Sequence, residues 1–344
     1  MTHVYVDTAS AVGGDGTTSA TTGANRAFNS LLDAVNSLPA TLTDATTIHL
    51  AASTGVADTQ TVASTPWDMT TSATNYLLIQ GNNRTGKYQT AAPYYRMEVT
   101  NPVTGTIYNN IPCHWRIDGV QIKVTCTGGG SYIGFKSTNA NQTATDIDCR
   151  ISNCICWGVV TSGSLIGFET RWPATGANGR NRVWNCLAID CTTGFNNDFG
   201  PTNVASVTSP GEFYNCTADG CSFSYVEDAD MKVINCLSAA ATSIGFVGTF
   251  VTGSDYNAED DGNGAPGAHS RTLQTFTFVN AAADDFHLAA TDAGARDFGT
   301  ADPSGGIFLD DVDGQTRVAP WDIGFDEYVA AVRASSGGLL LGVY

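Results

Sequence analysis

The sequence predicts an all-β protein folded as a β-solenoid, in which successive coils stack and pair their strands in parallel. Charged residues make up only 14% of the chain, against about 25% in a typical soluble domain. Short strand-like motifs recur along the chain, and the intervals between them vary. The connections are rich in Gly, Thr and Ser and lack the helical periodicity that a βαβ fold requires.

The strongest of these observations is a five-residue motif that aligns without gaps in five places. Each copy begins with a charged residue that is followed by apolar residues, and the last four copies end in Asn-Cys. The copies begin at Arg116, Arg150, Arg182, Glu212 and Lys232, at intervals of 34, 32, 30 and 20 residues. A solenoid tolerates such variation because extra residues loop out between strands that stay in register.

Stacking would place equivalent residues about 4.8 Å apart and create ladders. The apolar ladder is Ile117, Ile151, Val183, Phe213 and Val233. Asn153, Asn185, Asn215 and Asn235 suit a turn in which amides bond from coil to coil. Cys154, Cys186, Cys216 and Cys236 suit the interior as small hydrophobic side chains, and without a secretory signal the ten cysteines are read as thiols.

These motifs resemble those of the right-handed parallel β-helix, or pectate-lyase-like, superfamily. The opening Tyr5-Val6-Asp7 is similar to the superfamily's first strand, and Ala27 to Leu38 resembles its N-terminal capping helix, closed by Pro39. Asp322 to Tyr328 looks like a closing coil. The resemblance implies an N-terminal strand and cap over residues 1–45, parallel β-helix coils over 46–330 and a tail over 331–344. Viral tailspikes belong to the same superfamily.

Charge and hydropathy bound the function. Acidic residues outnumber basic ones 33 to 16, giving a net charge of −17, which argues against a nucleic-acid partner. No apolar run approaches the roughly 20 residues of a membrane span. The chain opens without a signal peptide, so we expect cytoplasmic synthesis or association with a virion. The net charge fits a neutral glycan, or no substrate, better than a highly anionic polysaccharide.

The residues that follow the recurrent Gly-Phe dipeptides are the first candidate site, because successive coils would bring them onto one face. Carboxylates there could flank a glycosidic bond. The candidate catalytic residues are Glu169, Asp198, Glu227, Asp228 and Arg171, with Lys136 and Trp172 as substrate-binding residues. This interpretation requires a groove with aromatic walls. Acids scattered by chance on polar ladders are the simpler alternative.

A second candidate is the column of basic residues that opens the repeats, which could track an anionic polysaccharide or pair with nearby acids. Beside it, Trp184 and Tyr214 are either a platform for a sugar ring or lie under a long loop. The superfamily's polygalacturonases require a Gly-His-Gly that this sequence lacks. Its lyases combine an Arg or Lys base with calcium, and that pattern is not clear here.

Calcium is the one cofactor that the sequence suggests. In Asp255, Asn257, Glu259 and Asp261, oxygen ligands alternate along an acidic loop that resembles an EF-type loop but lacks its terminal Glu. Asp310 to Gly314 is a weaker acidic loop. Two functions therefore remain open. One is a polysaccharide-binding or polysaccharide-degrading protein, with a homotrimer expected for a tailspike, and the other is a non-catalytic structural or adhesive component of a virion or surface.

Overall fold

The computed structural model describes residues 1–62, 69–102, 105–109, 113–138, 147–172, 179–199, 210–227 and 230–330. It is nearly all-β, with 40% of residues in strands and 3% in helices. Three long parallel sheets contain almost all the strands. This arrangement confirms the predicted parallel β-solenoid. The tail over 331–344, residue Asp228 and the side chain of Trp172 lie outside the described residues.

In the described part of the chain, the sheets contain eight, seven and six strands. Sheet 1 is formed by β1 (Thr2–Asp7), β2 (Thr46–Ala51), β3 (Leu77–Gln80), β6 (Trp115–Asp118), β9 (Asp148–Ser152), β12 (Arg180–Trp184), β15 (Gly211–Tyr214) and β18 (Met231–Ile234). Sheet 2 is formed by β4 (Arg96–Thr100), β7 (Gln121–Cys126), β10 (Ile155–Val160), β13 (Leu187–Ile189), β16 (Thr217–Asp219), β19 (Leu237–Ala239) and β21 (Ala258–Glu259). Sheet 3 is formed by β5 (Ile107–Asn109), β8 (Ser131–Thr138), β11 (Ser164–Trp172), β14 (Thr193–Phe199), β17 (Phe223–Glu227) and β20 (Ile244–Val247). From β3 to β20, each coil contributes one strand to each sheet in turn.

The interior is built from ladders of identical or similar side chains. The predicted apolar ladder of sheet 1 is buried throughout, with exposed fractions of 0–1%, and its residues are strand partners in register. Sheet 3 adds an aromatic ladder whose neighbouring rings are parallel and 4.8–5.0 Å apart. Its members are Phe135, Phe168, Phe195, Tyr225 and Phe246. The Gly before each Phe leaves room for the facing sheet, since a Cβ on Gly134 would lie 2.4 Å from the sulfur of Cys156.

The Asn and Cys columns also lie where the repeat predicts. All four Asn residues adopt left-handed backbone conformations, with φ between 47° and 55°, which Asn tolerates better than most residues. The amide of Asn185 donates to Asn153 at 3.2 Å, and that of Asn235 donates to Asn215 at 3.3 Å. All ten cysteines are buried, and none is in a disulfide. They therefore fill the core and form no disulfide framework.

The capping helix is shorter than the sequence pattern predicts. Helix α1 spans Leu31–Asn36, whereas we expected Ala27 to Leu38. Phe28 instead pairs with β1, because its amide donates to Tyr5 and its carbonyl accepts from Asp7. Ser30 then caps the helix, and its hydroxyl oxygen accepts from the Asp33 amide at 3.1 Å. No helix among the described residues is long and apolar enough to cross a membrane.

The C-terminal strap, defined here as residues 285–328, runs back along the outside of the coils. It is preceded by β22 (Phe278–Asn280) and a 3-10 turn at Ala281–Ala283, and it begins with β23 (Asp285–Leu288), which pairs with β22 in an antiparallel hairpin. Its apolar residues cover the outer side of sheet 2 and the turn from sheet 1. One cluster joins Phe286, Val312 and Phe325 of the strap to Tyr88, Ile155, Leu187 and Ile189 of the coils.

The strap docks on the Asn column through hydrogen bonds. The Asn185 amide donates to the carbonyl of Asp310, and the Asn215 amide donates to the carbonyls of Asp322 and Gly324. Asn235 exchanges two hydrogen bonds with the backbone of Thr300. Buried turn amides that would otherwise lack partners are thus satisfied by the strap, which becomes an integral part of the fold.

Candidate functional site

Sheet 3 carries the first predicted site, on strands β8, β11 and β14. Glu169 is the strand partner of Lys136 on one side and of Asn196 on the other. Its carboxylate lies 2.5 Å from the Lys136 ammonium, and both side chains are buried, with exposed fractions of 4% and 9%. Two residues further along, Arg171 pairs with Asp198 at 3.2 Å, and this pair is about one-third exposed. The structure therefore brings Glu169, Asp198, Lys136 and Arg171 together on one face, but each carboxylate has a cationic partner.

Burial and the neighbouring charges act on the pKa of Glu169 in the Glu169–Lys136 pair. Burial raises the pKa of Glu169, while Lys136 opposes that rise and Asp198 adds to it. The ammonium of Lys136 also lies 5.2 Å from the centre of the Tyr108 ring. Next to Glu169, the amide oxygen of Asn196 is buried and has no hydrogen-bond partner among the described residues. The site thus combines a carboxyl group that is costly to ionise with an unused acceptor.

Glu227 does not belong to this face, although we expected it to lie outward with Glu169. Its strand partner is Asn197, which is fully buried, as is Thr170 in the same row. Side chains alternate between the two faces of a strand, so the row of Glu227 is opposite to the row of Asp198. The carboxylate of Glu227 accepts a hydrogen bond from the Thr249 amide at 2.9 Å.

Trp184 and Tyr214 lie beneath the C-terminal strap. Of the two alternatives that the sequence left open, a sugar platform or a position under a long loop, the structure has the second. Phe308 stacks on Trp184 with ring centres 5.7 Å apart, and Trp321 completes the cluster. The exposed fractions of Trp184 and Tyr214 are only 7% and 3%. They therefore do not present a platform for a sugar ring in this structure, because strap residues occupy the faces that a sugar would need.

The basic column of sheet 1 forms a pocket of about 440 Å³, named here the arginine pocket. Arg116, Arg150 and Arg182 are strand partners in register. The full lining is Ala73, His114, Arg116, Ile147, Asp148, Arg150, Arg180 and Arg182. Four arginines thus face one carboxylate in a protein whose net charge is −17. The strand register continues this column through Glu212 to Lys232, as the repeat predicts, but the sequence did not predict that the arginines form a pocket.

The arginines of the pocket differ in how they are paired. Asp148 lies 2.5 Å from Arg150 and 3.0 Å from Arg182, and Arg182 also contacts Glu212 at 3.0 Å. Arg116 and Arg180 have no carboxylate within ion-pair distance in the part of the chain that the structure describes. The guanidinium of Arg116 lies over Tyr76, 3.7 Å from the ring centre. Burial and the neighbouring Arg150 lower the pKa of Arg116, as expected where a counter-charge is missing.

The expected calcium loop is not assembled. Asp255 pairs with His269, whose ring nitrogen lies 2.6 Å from a carboxylate oxygen. Asn257 and Glu259 are fully buried, and each bonds to backbone amides of different segments. Asp261 accepts from the Gly245 amide. The carboxyl groups of Glu259 and Asp261 interact with each other, but within the described residues Asp255, Glu259 and Asp261 form no group of three around one point.

Comparisons with known proteins do not extend this picture. No protein-family model matches the chain, and no curated protein matches it. The geometry of the arginine pocket and of the sheet 3 ion pairs therefore carries the functional argument. The contribution of Arg180 could have been found in the sequence only from its position two residues before Arg182, which places both side chains on the same face of a strand.

Proposed function

We propose that this chain is a polysaccharide-binding β-helix, of the pectate-lyase-like kind, that binds an acidic glycan in the arginine pocket. The observation that carries the proposal is the convergence of four arginines on one aspartate in an otherwise acidic protein. Planar guanidinium groups match carboxylate and sulfate groups in two-point contacts. The long, stacked face of a solenoid suits an extended polymer. A virion or cell-surface location, with a trimer in the virion case, is the setting that the tailspike resemblance favours.

The pocket changes the expectation drawn from the net charge. A charge of −17 disfavours an anionic polymer that contacts the protein everywhere, but it does not oppose a glycan whose acidic groups enter one basic pocket. Local potentials of several kT arise from such clusters whatever the overall charge. We therefore expect a sugar with spaced acidic groups and neutral residues between them.

The test is direct binding with matched substitutions. Arg180→Gln removes a guanidinium that is exposed and has no ion-pair partner among the described residues, so the fold should tolerate it. Loss of one charge-assisted hydrogen bond is expected to weaken binding about tenfold, which corresponds to about 1.4 kcal/mol. Calorimetry with hexagalacturonate and with a sulfated hexasaccharide measures the dissociation constants, and a neutral hexasaccharide should bind far more weakly.

Lys123→Gln is the control, because it removes one positive charge on sheet 2, beside Trp157 and away from the pocket. It should leave binding unchanged. Raising the salt concentration from about 0.05 to about 0.5 M should weaken binding of the acidic sugars. Equal affinity of the wild-type and Arg180→Gln proteins for every acidic sugar would show that the pocket is not the binding site.

Cleavage on sheet 3 is a second candidate, favoured by the raised pKa of Glu169 and the unused oxygen of Asn196. A carboxyl group whose pKa is raised is better suited to act as a general acid, with Asp198 as its partner. Uronate and neutral polysaccharides incubated with the protein should then release reducing ends, and Glu169→Gln should lower that rate at least about 100-fold. Glu98→Gln on sheet 2 is the control. Products that persist in Glu169→Gln would exclude this residue.

A further inference from the structure

A cluster of charged side chains within the C-terminal strap is not used by either proposed activity. His287 lies on β23, and its Nε2 atom is 2.8 Å from Asp313 Oδ2. Its Nδ1 atom is 2.6 Å from Asp285 Oδ1. One ligand atom each from His287, Asp313 and Asp326 lies within 4.8 Å of the others, and the described residues contain no other such group of three.

We propose that His287, Asp313 and Asp326 bind one divalent transition-metal cation, with Zn²⁺ as the expected ion, and that this ion fastens the C-terminal strap. The three ligands come from separate positions along the strap, 13 residues or more apart. A shared ion would therefore close the strap on itself and hold β23 beside its last turns.

The first argument is that the cluster contains unused ligand atoms. Asp326 is only 2% exposed. Its Oδ2 atom accepts from the Leu288 amide at 2.7 Å, but its Oδ1 atom is buried and has no hydrogen-bond partner among the described residues. The same is true of Asp313 Oδ1. A buried carboxylate oxygen without a partner is costly, and a cation would satisfy both atoms at once.

The second argument is the orientation of the imidazole. Metal-binding histidines commonly donate their other ring N–H to a carboxylate, which fixes the tautomer and turns the free nitrogen toward the ion. Asp285 occupies that supporting position at Nδ1, so Nε2 is the atom that faces Asp313. The histidine of the expected calcium loop, His269, contacts only one aspartate, Asp255, and is not a comparable site.

The third argument is space and ligand chemistry. Zn²⁺ lies about 2.0–2.2 Å from nitrogen and carboxylate ligands, and the ligand atoms of His287, Asp313 and Asp326 already lie within 4.8 Å of one another, so small side-chain movements would let them share an ion. Gly86 packs closely against the imidazole, and a Cβ there would lie 2.6 Å from Nε2, so only a glycine at this position avoids a clash with the His287 ring. One imidazole with two carboxylates favours zinc over Ca²⁺ or Mg²⁺, which prefer all-oxygen sites.

The experiment uses the full chain, dialysed against a chelator and then titrated with ZnCl₂ in a calorimeter. We expect one Zn²⁺ per chain with a dissociation constant of about 10 µM or tighter, and a melting temperature that rises by several degrees. Addition of CoCl₂ should give the visible bands of a nitrogen and oxygen site, without the intense near-ultraviolet band of thiolate ligands. CaCl₂ at the same concentration should raise the melting temperature less.

The decisive variants are Asp313→Asn, which lies at the partly exposed edge of the cluster, and Asp326→Asn. Each should weaken Zn²⁺ binding at least about tenfold and remove most of the metal-dependent rise in melting temperature. His269→Gln and His49→Gln are controls for adventitious binding at other histidines, and they should bind like the wild type. If Asp326→Asn does not fold, Asp313→Asn decides alone. Absence of binding in the wild type, or wild-type binding by Asp313→Asn, would overturn the proposal.

Discussion

Phe195→Ala is expected to lower the free energy of unfolding by about 3–5 kcal/mol, the usual cost of removing a buried aromatic side chain. Phe195 is fully buried at the centre of the sheet 3 ladder. Its ring stacks on Phe168 and Tyr225 at 5.0 Å on both sides, and it meets the edge of Phe213 at 5.9 Å. The substitution therefore leaves a cavity between two coils that cannot collapse without breaking strand register. Urea unfolding followed by far-ultraviolet circular dichroism measures the loss.

Phe298→Ala is the matched control, since it removes the same atoms from a ring that is 44% exposed. It contacts Arg271 through a cation–π interaction, so we expect a loss of about 0.5–1 kcal/mol. A loss from Phe195→Ala no larger than that of Phe298→Ala would mean that the coils repack around the missing ring. The stacked ladder would then not be the main source of cohesion in sheet 3.

Arg317→Leu is expected to cost about 3–5 kcal/mol, because it leaves buried acceptors and the carboxylate of Glu327 without their cation. The Arg317 side chain is fully buried. Its guanidinium donates to Asn185 Oδ1 at 3.0 Å and to the carbonyls of Gly324 and Phe325, and it contacts Glu327 at 3.4 Å. Limited proteolysis within 285–328 and the fluorescence of Trp321 should report release of the strap.

Arg317→Lys should be nearly as damaging, because an ammonium group cannot donate to several carbonyls in one plane. Arg84→Gln is the control, since Arg84 also binds the strap, at Asp310, but its side chain is 31% exposed. We expect it to cost about 1 kcal/mol. If Arg317→Leu and Arg84→Gln have equal effects, the buried guanidinium does not anchor the strap.

The repeat predicted much of the fold because equivalent residues of each copy occupy the same environment on successive coils. Ile151 and Cys186 are buried where their columns require, and Asn185 adopts the left-handed turn. The predicted helix, Ala27 to Leu38, was too long, because the spacing of its apolar residues does not reveal that Phe28 pairs with β1. The path of the strap could not be predicted either, since its docking depends on contacts between residues more than 100 positions apart.

Part of the candidate site on sheet 3 could be predicted from the sequence, and part could not. Glu169 and Lys136 were predicted to lie together because they occupy the same position of the repeat on neighbouring coils. Glu227 was misplaced because a shift by one residue moves a side chain to the opposite face of a strand. Trp184 could not be recognised as covered before the strap was located. The cluster around His287 combines residues that are at least 13 positions apart in the sequence, so no local motif could reveal it.

The bond between Arg84 and Asp310 joins residues 226 positions apart, and this has a consequence for synthesis. Coils of a solenoid contact mainly their neighbours, so they can form one after another as the chain leaves the ribosome. The strap, by contrast, can close only after residues 285–328 have been synthesised. Its contacts tie an early coil to residues made much later, so loss of the strap should weaken that coil, and a nascent chain that stops before the strap would expose the apolar surface around Trp184 and Tyr214.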